Sequence, residues 1–178
     1  MSPLSLDFSY LAIAATFAAA GSVFDVRTRR IPNFITLPGF VLGLLLHQAL
    51  GGWRQLLSAL AGGLICGAVF LIFYLAGGMG AGDVKLMTAI GSIAGLPHVA
   101  YLLALTAIAG GLMAVGLALV RGRLQQTIMN VGELASHHRH QGLQPHPDLN
   151  IGNAQTLRLP YGLAIAAGSI LTLYFQVV

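Results

Sequence analysis

Charge is scarce in this chain. Of 178 residues only 8% are Asp, Glu, Lys or Arg, and the acids number five: Asp7, Asp25, Asp83, Glu133 and Asp148. A water-soluble domain carries about a quarter charged residues, so this composition excludes one. Cysteine is reduced to Cys66, set in an apolar run. One thiol excludes an intrachain disulfide and a paired-cysteine zinc site, leaving packing as its role. The opening "MSPLSLDFSYLAIAATFAAAG" also has no Lys or Arg ahead of its apolar run. A secretory signal has a basic region there, so this stretch reads as a first membrane helix.

What the chain has in abundance is apolar length, with 56% hydrophobic residues. A bilayer core of about 30 Å asks for roughly 20 apolar residues per helix. Long uncharged runs predict helices over 6–24, 33–50, 57–77, 84–95, 98–120 and 159–178, with a polar loop over 121–158. The expected fold class is all-α: a polytopic protein of six membrane helices, forming a single domain over 1–178. Threading the spans puts Arg27, Arg29, Arg30, Lys85, Arg121, Arg123, Arg139 and Arg158 on one side and Arg54 alone on the other. The positive-inside rule makes the crowded side cytoplasmic and both termini external. The formal charge of +4 then reflects loops beside anionic headgroups and calls for no nucleic-acid partner.

Small residues stand four apart at Gly63 and Gly67, Ala107 and Gly111, and Ala164 and Gly168. This spacing lets helix backbones approach closely in lipid, and internal packing of one chain accounts for it without an oligomer. The fourth segment is unusual. From 84 to 95 it rises only about 18 Å, too little to cross the core unless one end starts inside the membrane. The preceding "AGGMGAGD" (76–83) predicts a non-helical entry below the cytoplasmic surface. Irregular backbone at that depth needs a protein or water-filled surround, so a recessed hydrated pocket with Asp83 at its floor is expected.

The polar stretch "ELASHHRHQGLQPHPDLN" (133–150) is too rich in Gly, Pro and Asn for 121–158 to be one continuous helix. His137, His138, His140 and His146 raise the question of a metal, but their spacing fits no regular ligand set. A solvated loop is the simpler reading, and no metal or cofactor is expected. Asp7, Glu133 and Asp148 all fall where water reaches them. Asp25 and Asp83 instead fall at the cytoplasmic ends of apolar segments and can face one another. Ionisable groups at membrane depth are functional candidates by default.

The plain alternative makes Asp83 a helix cap and pairs Asp25 with Arg27, Arg29 or Arg30. A cap does not require glycine at both 80 and 82, whereas a backbone of positive φ, or one that admits an extended peptide closely, does. Two facing carboxylates can share one proton, one activating water against a peptide carbonyl while the other protonates the carbonyl oxygen. Opposite helix ends assign Asp83 as the starting base and Asp25 as the acid.

Three motifs then stand in order. "GAGD" at 80–83 followed by "VKLM" resembles the GxGD signature of membrane-embedded aspartyl peptidases. "DVRTRRIPN" at 25–33 resembles the first catalytic aspartate region of type IV prepilin peptidases, and "LPYGLAIAAG" at 159–168 resembles that family's last helix. The resemblance spans nearly the whole chain. It implies a six-helix fold, a metal-free aspartyl mechanism with Asp25 and Asp83 as the pair, and removal of a short basic leader from prepilins or pseudopilins. It implies a bacterial inner-membrane enzyme with its site facing the cytoplasm, working beside pilus-assembly machinery. Gly80 and Gly82 would shape the loop and Lys85 would tune the pair or contact lipid. Arg27, Arg30, Pro32, Asn33, Pro160 and Tyr161 are carried over as supporting motif residues, Pro32, Asn33 and Pro160 reading first as helix-start chemistry. Larger members have a cytoplasmic insert with paired cysteines and methylate the new pilin N-terminus; the insert's cysteine pairs are missing here. The short form resembles the peptidases of tight-adherence, Flp-type, pilus systems. Two rival readings use the same fold: a catalytically silent pilus-assembly factor, and an ion- or proton-coupled transporter using the same acids.

Overall fold

The computed structural model describes residues 3–147, 149–150 and 159–177. These form six helices and no strand: α1 (Pro3–Thr28), α2 (Asn33–Leu75), α3 (Ala81–Ala94), α4 (Val99–Val120), α5 (Leu124–Gln141) and α6 (Tyr161–Val177), with a 3-10 turn (Leu96–His98) before α4. Three stretches are long and apolar enough to cross a membrane: Leu6–Thr28, Asn33–Leu75 and Leu96–Val120. The apolar α6 is shorter. Asp148 and Arg158 lie outside the described residues.

Straight, the 43 residues of α2 would reach about 64 Å, twice a bilayer core. The chain avoids this at Gly52, whose φ of 68° and ψ of −161° are non-helical. Phe40 and Gly63, about 34 Å apart on a straight helix, come together, a Cβ on Gly63 falling 3.3 Å from the Phe40 ring. α2 is therefore a hairpin of two arms turning at Gly52, in keeping with the separate segments expected over 33–50 and 57–77.

Both arms grip α3. A Cβ on Gly39 would sit 3.4 Å from Ala89 Cβ, and one on Gly43 would sit 2.7 Å from Ser92 Oγ. On the second arm a Cβ on Gly62 would lie 2.5 Å from the carbonyl of Gly91, and one on Gly67 would collide with Thr88 Oγ1. Glycine is needed because a side chain would push the helices apart. With α1 and α6 closing the remaining sides, Leu86, Met87, Ala89, Ile90 and Ile93 are fully buried. From Leu86 to Ala94 every residue except half-buried Thr88 is buried, so the body of α3 is the centre of the bundle.

The far end of α3 is pinned. The His47 ring bonds the Ile93 carbonyl at 3.0 Å and stacks on Tyr10 with centroids 4.1 Å apart. Since a carbonyl only accepts, Nε2 carries the proton. Ser58 Oγ accepts the N–H of Leu96 at 3.0 Å. Of the small-residue pairs, Gly63 and Gly67 pack on α3 and Gly168 packs against Thr106 of α4. Gly111 would meet nothing within 4 Å.

Two expectations need correction. The fourth segment starts at Ala81, three residues before the predicted 84, because Gly80 supplies an extended N-cap (φ −85°, ψ 153°) and Gly82 is already helical. And 121–158 is not all loop. Residues 124–141 contain no proline and form α5, which stops where Gly142 turns left-handed at φ 70°, the usual place for glycine beyond a helix end.

Candidate active site

Asp25 sits in the last turns of α1 and Asp83 in the first turn of α3, both buried, at 9% and 8% exposure. Each carboxylate is held by a backbone amide. Gly162, at the start of α6, donates its N–H to Asp25 Oδ2 at 2.9 Å. Gly80 donates to Asp83 Oδ2 at 3.0 Å, while Asp83 N–H returns a bond to the Gly80 carbonyl at 3.1 Å. Asp83 is thus a helix-start residue in fact. Its Oδ1, however, is buried with no hydrogen-bond partner, and a plain cap does not call for that. The two carboxylates are close enough for the charge of Asp25 to act on Asp83, and Asp83 in turn acts on Tyr161.

Both acids accept an N–H at a helix start, since Asp25 leaves the C-terminal end of α1 but reaches the N-terminal turn of α6. The asymmetry expected from the ends of their own helices is therefore offset by their partners.

The glycines act by space. Gly80 has φ −85° and Gly82 is not among the residues of positive φ, which corrects the left-handed reading. A Cβ on Gly82 would lie 3.2 Å from Ile31 Cβ, and one on Gly80 would lie 3.3 Å from Asp83 Oδ2. The left-handed position is Gly77, at φ 78°.

Lys85 is exposed and its Nζ donates to Asn33 Oδ1 at 3.1 Å, tying the first turn of α3 to that of α2. Pro32 is the N-cap of α2, with extended φ −75° and ψ 147°. Arg27 and Arg30 are exposed. The Pro160 carbonyl accepts the Leu163 N–H at 3.1 Å, opening α6, and Tyr161 packs half-buried on the core.

The other acids among the described residues are elsewhere. Asp7 faces His98 at 3.7 Å at the opposite end of the bundle, and Glu133 meets His146 at 3.5 Å. The histidines of 137–146 knit their own segment: His137 bonds the Gln144 carbonyl at 3.0 Å and its ring stands 4.7 Å from that of His146. Among the described residues no group of three or more His, Cys, Asp or Glu side chains is arranged to hold a metal.

Gly162 was not singled out from sequence, although it lies inside the quoted "LPYGLAIAAG". A Cβ there would fall 2.9 Å from Asp25 Cβ and 3.0 Å from Ser22 Cα, so only glycine lets α6 approach this closely.

The fold is a helical bundle that brings two buried aspartates to neighbouring helix ends. The model of the type IV leader peptidase family matches residues 12–115, more than half of the chain and including both acids, and the chain belongs to that family. It is accordingly a prepilin peptidase, an aspartic-type endopeptidase of a bacterial membrane family. No curated protein and no solved structure matches it.

Proposed function

We propose that the chain removes the short basic leader of a small, Flp-type prepilin at the cytoplasmic membrane face, with Asp25 and Asp83 as a two-carboxylate catalytic dyad. The observation that carries this reading is the orphaned, buried Oδ1 of Asp83 beside a second carboxylate fixed by its own backbone donor. An unpartnered buried carboxylate oxygen is costly, and a shared proton or an attacking water is what relieves it.

The chemistry follows from those positions. Asp83, with one oxygen tied to Gly80 and one available, takes a proton from water as the water oxygen bonds the scissile carbonyl carbon. Asp25 gives its proton to the carbonyl oxygen, forming a tetrahedral diol. The proton held by Asp83 then passes to the leaving nitrogen as the C–N bond breaks, and a diol hydroxyl returns a proton to Asp25. One water is consumed and the dyad is restored. Because coupled acids titrate as a pair, the assignment of base and acid is a choice of starting microstate.

In this reading the chain crosses the membrane six times, counting the arms of α2 separately and α3 as a short recessed span. The site then opens at the end that bears Arg27, Arg30, Lys85, Arg121 and Arg123, the cytoplasmic end by the positive-inside rule. The absence of cysteine pairs favours the short, small-pilin form.

The test is co-expression with precursors of a small Flp-type pilin and of a longer type IV pilin, followed by gel mobility and N-terminal sequencing. Shortening of the small precursor alone supports the full reading. Shortening of the long one alone retains the peptidase and overturns the substrate class. Neither being cut overturns the activity and brings forward a silent assembly factor.

A further inference from the structure

We propose that α5 is an interfacial helix whose apolar stripe docks on an anionic lipid surface beside the active-site end of the bundle.

The helix starts where α4 leaves the apolar layer. Gly122 at φ 63° ends α4, with Arg123 N–H bonded to the Ala118 carbonyl at 2.9 Å, and the chain turns off the α4 axis between Arg121 and Arg123. At 100° per residue, Leu124, Ile128, Val131, Leu134 and Ala135 fall on one side of α5. None of its residues is buried, and Ile128 and Val131 are 64% and 61% exposed.

The contacts of α5 set which of its sides is turned to the protein. Glu133 and His137 stand on the other side of the helix, and these are the residues that the following segment touches: Glu133 meets His146 at 3.5 Å, and His137 bonds Gln144. That segment is itself seated on the bundle, Pro145 Cβ lying 3.0 Å from the place of a Gly77 Cβ. Glu133 keeps most of its surface exposed, and Leu124 and Leu134 at the ends of the stripe are half-buried. Ile128 and Val131 at its middle stand bare, as the apolar side of a helix does when it rests in lipid.

Charge supplies the choice of lipid. Arg121, Arg123 and Arg139 are all exposed and flank the stripe, with Glu133 the one acid in α5 and turned away from it. Long basic side chains at the edge of an apolar face reach phosphate while their stems stay in the apolar layer, and anionic headgroups attract them. Docked this way, α5 fixes the segment that rests on Gly77, and with it the connection leading into Asp83.

The experiment uses the full chain in vesicles of phosphatidylcholine alone or mixed with phosphatidylglycerol, with a polarity-sensitive fluorophore at Ile128→Cys or Gln126→Cys. The parental chain, whose Cys66 is fully buried, gives the background. In the mixed vesicles the probe at 128 is expected to shift to the blue and be quenched by lipid-borne nitroxide, while the probe at 126 remains quenched by aqueous iodide. Arg121→Gln and Arg123→Gln should each lower the docked-to-undocked ratio roughly fivefold. Equal iodide quenching at 126 and 128 overturns the proposal. Protection at 128 that is lost when the protein is diluted in lipid assigns the stripe to a second copy, and protection only with added prepilin assigns it to substrate; both overturn it. Protection insensitive to phosphatidylglycerol and to the arginines overturns the anionic partner.

Discussion

The amide of Gly162 lies 2.9 Å from Oδ2 of Asp25 across 137 positions of sequence. The start of α6 thereby serves as the bracket for an acid carried by α1. The bond fixes one oxygen of the carboxylate, and the missing side chain at 162 is what brings the two helices near enough for it to form.

Gly162→Ala therefore tests positioning. The added methyl falls 2.9 Å from Asp25 Cβ and 3.0 Å from Ser22 Cα, so the acid and the helix must separate by some tenths of an ångström. A misplacement approaching 1 Å at reacting groups costs on the order of 100-fold in rate, and overpacking costs about 1–3 kcal/mol of stability. Precursor cleavage per folded molecule should fall by that order while the variant still accumulates in membranes.

Glycines 77 and 80 should separate in a paired comparison. Gly77→Ala places a Cβ on a left-handed residue, costing about 1–2 kcal/mol, and drives it to 3.0 Å from Pro145 Cβ. Gly80→Ala keeps an ordinary extended backbone at φ −85° and brings a methyl 3.3 Å from Asp83 Oδ2. Thermal unfolding in detergent should show the larger loss at 77. Turnover per folded molecule should show the larger loss at 80.

Packing glycines should likewise divide. Gly67→Ala and Gly168→Ala meet Thr88 and Thr106 and are expected to lose about 1–3 kcal/mol by overpacking. Gly111→Ala meets nothing within 4 Å and gains helix propensity of up to about 1 kcal/mol. Midpoints of thermal aggregation should fall for the first two and hold or rise for the third.

His47→Ala is a stability control at the far end of α3. It removes the bond to the Ile93 carbonyl and the stack on Tyr10, together worth on the order of 2 kcal/mol. Unfolding should occur at lower temperature, with cleavage per folded molecule at the parental rate.

The candidate acids could be read from sequence because lipid makes every ionisable residue conspicuous: with five acids in the chain, Asp25 and Asp83 stand out at the ends of apolar runs. The two arms of α2 were legible for a similar reason, as uncharged runs over 33–50 and 57–77 with Arg54 between them. What composition hides is a role played by backbone. Gly162 acts through an N–H and an absent side chain, and neither carries a signal until α1 and α6 are seen together. Reading 121–158 as one polar unit obscured α5, because the prolines and the stop at Gly142 lie in its second half while an amphipathic period runs through the first. The start of α3 was misread by three residues because glycine at 82 suggests irregular backbone, and only contact with Ile31 explains a helical glycine there.

The central claim is that Asp25 and Asp83 act as one unit. Its most direct test is single-turnover cleavage of a purified small prepilin by the parental enzyme, Asp25→Asn, Asp83→Asn and the double variant, at matched folded concentration in the same lipid. Groups that act together are non-additive, so each single change should abolish cleavage and the double change should be no worse than either. Cleavage at the parental rate by either single variant, or losses in the singles that multiply in the double, would contradict the account.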